Sequence, residues 1–276
     1  MNYLVVGMGK TGESTARFLL NRGEKVLGYD DHKKWSDISP NILNHPAFSP
    51  LRPIDLSKLN RRKIQECIVS PGVPSYHPIL AKCEQERIPI VSEVELACRM
   101  LHFPLIGITG SNGKSTTVAL IGHILNRAGF SAFVGGNFGT PLIDSISFPT
   151  SYQWGVVELS SFQLERIVSA RFQIAGILNL SPNHLDRHNT FRDYFFQKRN
   201  IFINQKKEDR AIVNFSIPSW HTQLCPMIRS SIIPVTGLGQ LQEGFYWKNQ
   251  KIVERFEGKE RKIDCLNWYL PGEHNR

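Results

Sequence analysis

One stretch of the sequence combines glycines, hydroxyl groups and a lysine in the order typical of loops that bind nucleotide phosphates. It is the run Thr109-Gly110-Ser111-Asn112-Gly113-Lys114-Ser115-Thr116, which follows an apolar segment and precedes a segment with helical periodicity. In such a loop the backbone N–H groups surround an anion, the lysine reaches the β- and γ-phosphates, and a hydroxyl such as that of Ser115 can ligate Mg²⁺. The general motif has a further glycine where this chain has Ile108. We still predict a triphosphate site here, with Gly110 to Thr116 as its residues.

Side chains that can ligate metals follow two later apolar runs. Glu158 ends the predicted strand Gly155-Val156-Val157, and His184 follows another predicted strand. Because parallel strands present their carboxyl ends at one edge of a sheet, both are candidate magnesium ligands beside the phosphate loop. His184 and His188 also have the i, i+4 spacing of zinc-binding helices. Zinc is the weaker alternative, because Pro182 favours a loop there and the sequence offers no third ligand.

A second glycine pattern lies near the start of the chain, where Gly7-x-Gly9-x-x-Gly12 follows an apolar run and opens a predicted helix. Glycines allow a tight turn at this position and let the helix N-terminus approach a diphosphate. Asp30 follows the last glycine by eighteen residues, a spacing similar to that of dinucleotide-binding proteins. The pattern predicts a ligand that carries phosphate. A nicotinamide dinucleotide and a purely structural turn are the alternatives.

The apolar runs around these motifs predict an α/β protein with two modules, which divide near residues 91–93. The predicted strands are 3–6, 26–29, 64–70, 105–109, 154–159, 174–180 and 211–215. The run Ser70-Pro71-Gly72-Val73-Pro74 predicts a loop at a carboxyl edge, where parallel sheets bind ligands. Residues 93–100 are predicted to form a helix. Residues 244–270 are predicted to form a β-hairpin that turns at 248–250.

Composition restricts the class of protein. Of the 276 residues, 41% are apolar and 21% are charged, which excludes a disordered or fibrous chain. The sequence has neither an apolar run near the ~18 residues of a membrane span nor the pattern of a signal peptide. The net charge of +9 is compatible with an anionic partner, but the basic clusters at 61–63 and 206–207 lack interleaved aromatic residues and predict solvated surface. Five cysteines without a C-x-x-C pair favour a reducing cytoplasm.

Taken together, the motifs resemble those of the Mur ligase family. The phosphate loop at 109–115 is similar to the ATP loop of that superfamily, which folylpolyglutamate synthases share. Residues 158–165 resemble the block of the members that add D-glutamate. Further matching blocks are 70–72, 135–139, 178–187 and 272–275. The resemblance extends from Gly7 to the last residue.

The resemblance implies a Rossmann-like domain at 1–92 for the UDP end of the substrate and a central P-loop-type ATP-binding domain at 93–276. It also implies a third domain that closes over ATP and helps to hold D-glutamate. The family's Gly-x-His-Asn motif, here Gly272-Glu273-His274-Asn275, opens a helix that continues the central domain. We therefore expect a C-terminally truncated chain, with the second domain incomplete and the third absent, which alone does not ligate.

The resemblance also assigns roles to individual residues. Lys114 and Ser115 match positions for phosphate and Mg²⁺, and Glu158 matches the carboxylate of the first metal. His184 and Lys198 match a second Mg²⁺ site in which the family lysine is carbamylated, whereas the neighbours of Lys198 alone predict a solvated charge. The substrate positions are Lys10, Thr11, Asp30, Ser70, Gly72, Asn137 and Gln163, and a further ATP-binding position is Asn275.

The activity implied by the resemblance is ATP-dependent joining of D-glutamate to UDP-N-acetylmuramoyl-L-alanine through an acyl phosphate. This reaction belongs to peptidoglycan synthesis, and so to cell-wall biogenesis, cell shape and cell division. We expect a cytoplasmic monomer that uses ATP and Mg²⁺ and binds neither nucleic acid nor membrane. Three rivals remain: a folylpolyglutamate-synthase-like ligase, a nucleic-acid-dependent P-loop ATPase and a nicotinamide dehydrogenase. The dehydrogenase leaves the Lys114 loop without a role, and the nucleic-acid ATPase leaves the first glycine pattern without one.

Overall fold

The computed structural model describes residues 2–52, 59–147, 151–182, 187–188, 190–217 and 219–264, which form two sheets with helices packed against them. The first sheet contains β1 (Asn2–Val6), β2 (Lys25–Tyr29), β3 (Phe48–Pro50), β4 (Glu66–Val69) and β5 (Ile90–Ser92). All its pairings are parallel, in the order β3-β2-β1-β4-β5. Its helices are α1 (Lys10–Asn21), α2 (Pro40–Leu43) and α3 (Pro78–Gln85). The Rossmann-like prediction for this part is confirmed.

The apolar residues of β1 explain why helices cover both faces of this sheet. Leu4 and Val6 are buried in one cluster with residues of α3, while Tyr3 and Val5 are buried in another with residues of α1. Successive side chains of a strand point to opposite faces, so an uninterrupted apolar run is what a doubly covered parallel strand requires.

Among the described residues the second sheet has nine strands, and the phosphate loop follows the strand that is third from one edge. Its elements are α4 (Glu93–Cys98), β6 (Leu105–Thr109), α5 (Lys114–Arg127), β7 (Ala132–Gly136), α6 (Asp144–Ser147), β8 (Trp154–Glu158), α7 (Ser161–Glu165), β9 (Ile174–Ile177), α8 (Phe191–Arg199), β10 (Arg210–Asn214), α9 (Ser219–Gln223), β11 (Ser231–Thr236), β12 (Gly244–Lys248), β13 (Lys251–Phe256) and β14 (Lys259–Asp264). The order is β14-β13-β12-β11-β10-β9-β6-β8-β7, with β13 and β14 antiparallel to their neighbours. Short 3₁₀ helices occur at Trp35–Asp37, Asn200–Phe202 and Cys225–Met227.

Most predicted elements occur at their expected places, but several differ in their bounds or pairing. The predicted strand 64–70 covers only Glu66–Val69, and the predicted strand 174–180 ends at Ile177. The predicted helix 93–100 ends at Cys98, and the predicted hairpin is a three-stranded antiparallel unit, because β14 pairs with β13. The hairpin turn is confirmed by Asn249 and Gln250, which have φ of 50° and 58°. The end of the predicted hairpin, at 265–270, lies outside the described residues. The division of the chain after residue 92 stays a prediction.

None of the helices among the described residues combines the length and the apolar character that crossing a membrane requires.

A buried carboxylate lies at the point of the chain where the last strand of the first sheet ends. Glu93 begins α4, is 1% exposed and accepts a hydrogen bond from the Ile143 N–H through Oε1 at 2.6 Å, while its Oε2 has no hydrogen-bond partner among the described residues. The neighbouring Asp144 is tied to α1, because Ser14 Oγ donates to it at 2.8 Å. Burial raises the pKa of Glu93 to about 7, the Ile143 N–H opposes this, and the charge of Asp144 adds to it.

We expect Glu93→Gln to change how folding stability depends on pH. The pKa of Glu93 is higher in the folded state than its ordinary value of 4.5. Its contribution to stability is therefore present below pH ~4.5 and is lost as the pH rises through ~7, by roughly 3 kcal/mol in total. The neutral amide removes this loss, so urea unfolding at pH 8 should show the variant to be more stable than the wild type. The exposed Glu243→Gln is the control, and parallel stability curves for both variants would contradict the expectation.

Candidate functional site

The phosphate loop joins β6 to α5, as predicted, and is held in an open arc. Gly113 is the N-cap of α5 with φ of 77°, a left-handed conformation that costs glycine little. The next residue, Lys114, starts the helix and its Nζ donates to the carbonyl of Ser111 at 3.0 Å. Asn112 and Gly113 are exposed residues, and the glycine at the N-cap leaves this helix N-terminus open to an anion.

The segment after β9 fixes the near side of this loop. Ser181 N donates to Ser111 Oγ at 2.9 Å, and the Tyr194 hydroxyl lies 3.1 Å from the same oxygen. Asn179 forms a reciprocal pair with Asn112, because its Oδ1 accepts from the Asn112 N–H and its Nδ2 donates to the Asn112 carbonyl. The loop is therefore positioned by hydrogen bonds to a neighbouring strand end before any ligand arrives.

Three predicted residues meet beside the loop, at the carboxyl edge of the sheet. Ser115 Oγ donates to Glu158 Oε2 at 2.5 Å, and Asn137 Nδ2 donates to Glu158 Oε1 at 3.0 Å. Glu158 is 3% exposed and ends β8, which lies between β6 and β7. A hydroxyl and a carboxylate in contact offer the oxygen donors that Mg²⁺ prefers, so Ser115 and Glu158 fit the predicted first metal position.

Lys198 is a buried residue of α8. It is 2% exposed, and its Nζ donates to Gly110 O at 2.9 Å and to Thr109 Oγ1 at 3.1 Å. Burial, and to a smaller extent the charge of Lys114, lowers the pKa of Lys198 to about 7 against the opposing charge of Glu158. The expectation of a solvated charge is therefore wrong. The helical periodicity of α8 points this lysine inward together with Tyr194, the residue one turn earlier.

A cavity of about 280 Å³ lies over this arrangement, and we call it the junction cavity. Its lining includes Lys114 at the start of α5, Lys198 from α8, and residues 160–162 at the start of α7. From the first sheet, the loop after β4 contributes Pro71 and Gly72. Ser160, Ser161, Phe162, Arg187 and Tyr194 were not predicted as site residues. All of these except Tyr194 lie within the sequence blocks 158–165 and 178–187 that resemble the Mur ligase family. Their position in those blocks could have predicted them as site residues.

A second cavity, of about 400 Å³, lies at the carboxyl edge of the first sheet, and we call it the nucleotide cavity. Its lining contains six of the seven predicted substrate positions: Lys10, Thr11, Asp30, Ser70, Gly72 and Asn137. Pro71, Gly72 and Asn137 line both cavities. The two cavities therefore share a wall, and a single elongated ligand could occupy both.

The glycine turn of the nucleotide cavity depends on a close backbone contact. A Cβ atom on Gly12 would lie 2.0 Å from the carbonyl oxygen of Gly7, so only glycine fits where α1 passes the end of β1. Asp30 holds the turn from β2, because its Oδ2 accepts from the Met8 N–H at 2.6 Å. Burial raises the pKa of Asp30, but hydrogen bonds from the backbone N–H groups of Lys33, His32 and Met8 lower it overall.

Gln163 is the predicted substrate residue that lies apart from both cavities. Its Oε1 accepts from Ser160 N and Ser160 Oγ, and Ser160 Oγ accepts from Gln163 N, which forms a capping box at the start of α7. Ser160 lines the junction cavity, so Gln163 supports a cavity residue. The predicted residues His184 and Asn275 lie outside the described residues.

The zinc alternative stays untested, because His184 lies outside the described residues, and its other member, His188, packs against α7. The ring Nε2 of His188 lies 2.9 Å from Ser161 Oγ, and the ring stacks on Phe162 with centroids 5.2 Å apart. Across the described ranges, no three His, Cys, Asp or Glu side chains gather in a way that could hold a metal ion.

Comparison with known proteins connects both modules to one family. Residues 108–276 match the Mur ligase middle domain, and residues 1–92 match the Mur ligase MurD-like N-terminal domain. The chain is 37% identical over 279 residues to the UDP-N-acetylmuramoylalanine–D-glutamate ligase of Geotalea uraniireducens, and 37% identical over 278 residues to that of Syntrophus aciditrophicus. Each alignment covers 99% of this chain and 60% of the relative, so the chain spans about three fifths of their length.

Solved structures agree on the fold. The UDP-N-acetylmuramate:L-alanyl-gamma-D-glutamyl-meso-diaminopimelate ligase of Neisseria meningitides superposes with a TM-score of 0.61 at 17% identity, covering 99% of this chain and 89% of that one. The murein peptide ligase of Psychrobacter arcticus gives a TM-score of 0.58 at 16% identity, covering 100% of this chain and 62% of that one. The phosphate loop, the glycine turn and both domain matches lead to one conclusion: the chain belongs to the Mur ligase family.

Proposed function

We propose that this chain forms the nucleotide-binding part of an ATP-dependent ligase that joins D-glutamate to UDP-N-acetylmuramoyl-L-alanine in peptidoglycan synthesis. The observation that carries the proposal is the shared wall of the two cavities, at Gly72 and Asn137. One cavity has the glycine turn suited to a diphosphate, and the other adjoins the loop suited to a triphosphate. The names of the relatives support D-glutamate as the amino acid that is added.

In the proposed reaction, a carboxylate oxygen at the alanyl end of the substrate attacks the γ-phosphorus of ATP and ADP leaves. The amine nitrogen of D-glutamate then attacks the carbonyl carbon of the acyl phosphate. Phosphate leaves and the nitrogen loses a proton. The sugar nucleotide would lie in the nucleotide cavity with its peptide end in the junction cavity. Positioning of the two reacting ends is the main service that such a site performs.

The charged residues of the junction cavity suit phosphoryl transfer. Lys114 would offset the charge on the β- and γ-phosphates, and the backbone N–H groups of the loop would donate to phosphate oxygens. Ser115 and Glu158 would hold Mg²⁺, which would offset the negative charge of the phosphates. Asn137 orients Glu158 through its 3.0 Å hydrogen bond and also lines both cavities.

A second Mg²⁺ position is part of the proposal, with His184 and a carbamylated Lys198 as its ligands. Carbamate forms when a neutral amine attacks CO₂ and loses a proton. The lowered pKa of Lys198, about 7, supports a substantial neutral fraction at physiological pH. Carbamylation would turn a buried cation into an anion beside Lys114. That exchange supplies the oxygen ligands that an ammonium group lacks.

We further propose that Gln163 acts on the substrate indirectly, by holding Ser160 in place through the capping box. We also propose that the enzyme is a cytoplasmic monomer. The decisive test is incorporation of labelled D-glutamate by a polypeptide that adds the third domain implied by the resemblance. We expect product only with UDP-N-acetylmuramoyl-L-alanine, ATP and Mg²⁺ together, and none from residues 1–276 alone. Glutamate transfer to a folate, or DNA-stimulated ATP hydrolysis without ligation, would refute the proposal.

A further inference from the structure

Arg187 connects the second sheet's side of the site to the loop after β4. Its Nη1 donates to the carbonyl oxygen of Pro71 at 2.7 Å, and its Nη2 donates to the carbonyl oxygen of Val73. The carbon of its guanidinium lies 3.7 Å from the centroid of the Phe162 ring, which belongs to α7. One side chain therefore contacts both modules at the wall between the cavities.

The loop has few backbone N–H groups of its own to hold its carbonyl groups. Residues 70–74 contain two prolines, which lack N–H groups, and no strand or helix includes them. The loop's own hydrogen bonds hold its beginning and close one turn: Ser70 N donates to Val6 O, Ser70 Oγ donates to Gly7 O at 2.7 Å, and Val73 N donates to Ser70 O at 3.1 Å. The carbonyls of Pro71 and Val73 lie further along, and Arg187 is the side chain that holds them in place.

We infer that Arg187 is a positioning residue that sets the wall shared by the two cavities and thereby the affinity for the uridine diphosphate end of the substrate. The inference rests on the proposed function. Pro71 and Gly72 line both cavities, and Val73 lines the nucleotide cavity. Arg187 lines the junction cavity and does not line the nucleotide cavity. Arg187 acts on the nucleotide by fixing the loop.

An arginine is required for this geometry. Its planar guanidinium can donate two hydrogen bonds in fixed directions while its face lies on an aromatic ring. Lysine has a compact ammonium group that cannot bridge two carbonyls and stack on Phe162 at once. The charge of Arg187 alone is therefore insufficient, and the conservative lysine variant should not restore the wall.

The test is calorimetric titration of the 276-residue chain with UDP and, separately, with ADP and Mg²⁺. We expect Arg187→Met and Arg187→Lys each to weaken UDP binding by about tenfold or more, with ADP affinity and melting temperature close to wild type. Phe162→Leu, which removes only the stacking, should give a smaller loss of UDP affinity. The matched control is Arg192→Met, because Arg192 also lies over a ring, 5.4 Å from the centroid of Phe196, and that ring belongs to the same helix.

The outcomes separate this inference from the proposed function. If the wild type binds UDP and both Arg187 variants bind it equally well, or if lysine restores full affinity, the inference is overturned. A parallel loss of UDP and ADP affinity together with a lower melting temperature would also overturn it, because that is the signature of a merely structural role. If Arg187→Met does not fold, the Phe162→Leu titration decides. A wild type that binds ADP but not UDP would overturn the proposed function, and this inference with it.

Discussion

Replacing Lys114 by alanine should abolish measurable ligation while leaving the fold intact. The ammonium group lies at the start of α5 and donates to the Ser111 carbonyl, a partly buried contact on a loop that is open to solvent. Its expected role begins only when a triphosphate occupies the loop, where it offsets charge on the transferring phosphoryl group. Loss of one such preorganised contact costs about 3 to 4 kcal/mol or more in the transition state, which is roughly a thousandfold in turnover.

The measurement is steady-state turnover by a polypeptide that includes the third domain, together with a thermal unfolding curve. Lys207→Ala is the matched control, because Lys207 is an exposed lysine far along the chain from the loop. Lys114→Ala should show unchanged unfolding and a turnover lower by orders of magnitude. Turnover close to that of the control would remove the loop from the mechanism.

Lys198→Ala should be nearly inactive and partly rescued by short-chain carboxylates such as acetate. The substitution removes the amine that would carry the carbamate, and a small carboxylate can place an anionic oxygen in the vacated space. We expect turnover to fall by about a thousandfold or more, because the second metal position loses a ligand. Rescue should be absent in Lys114→Ala, whose missing group is a cation.

The pH dependence of reactivation provides a second readout for Lys198. After removal of CO₂, re-addition of CO₂ at the same dissolved concentration should restore activity faster at pH 8 than at pH 6, because the amine is mostly neutral above its pKa of about 7 and mostly protonated below it. Wild-type turnover by Lys198→Ala in CO₂-depleted buffer would contradict the proposed carbamate. The second metal position would then lack this ligand.

Local sequence patterns were sufficient to predict the meeting of Ser115 and Glu158. Ser115 lies in the loop and helix start after one apolar run, and Glu158 ends another. Neighbouring parallel strands place their carboxyl ends at the same edge of a sheet, so the two residues are expected to lie close together. Lys198 and Arg187 were harder, because their positions depend on contacts with residues 70 or more positions away. The neighbours of Lys198 in sequence, Gln197 and Arg199, are polar and gave the wrong expectation of exposure.

Gln163 is the opposite case, because its role at the start of α7 could have been predicted from the sequence nearby. Ser160-x-x-Gln163 has the spacing of a capping box, and the structure contains both of its hydrogen bonds. Strands β3, β5, β7 and β11 were not predicted individually, because short runs of three to six residues interrupted by glycine or proline carry little periodicity.

The hydrogen bond from Ser115 to Glu158 bears on the order in which ligands arrive. While the hydroxyl donates to the carboxylate at 2.5 Å, the two oxygens satisfy each other. Lys198 lies close enough to Lys114 and to Glu158 to interact electrostatically with each, so two lysine side chains and one carboxylate lie at this edge before Lys198 is carbamylated. The two lysines oppose the capture of a free divalent cation, whereas a cation already chelated by ATP brings compensating negative charge with it. We therefore expect the preformed MgATP complex to be captured first, with little contribution from uncomplexed magnesium.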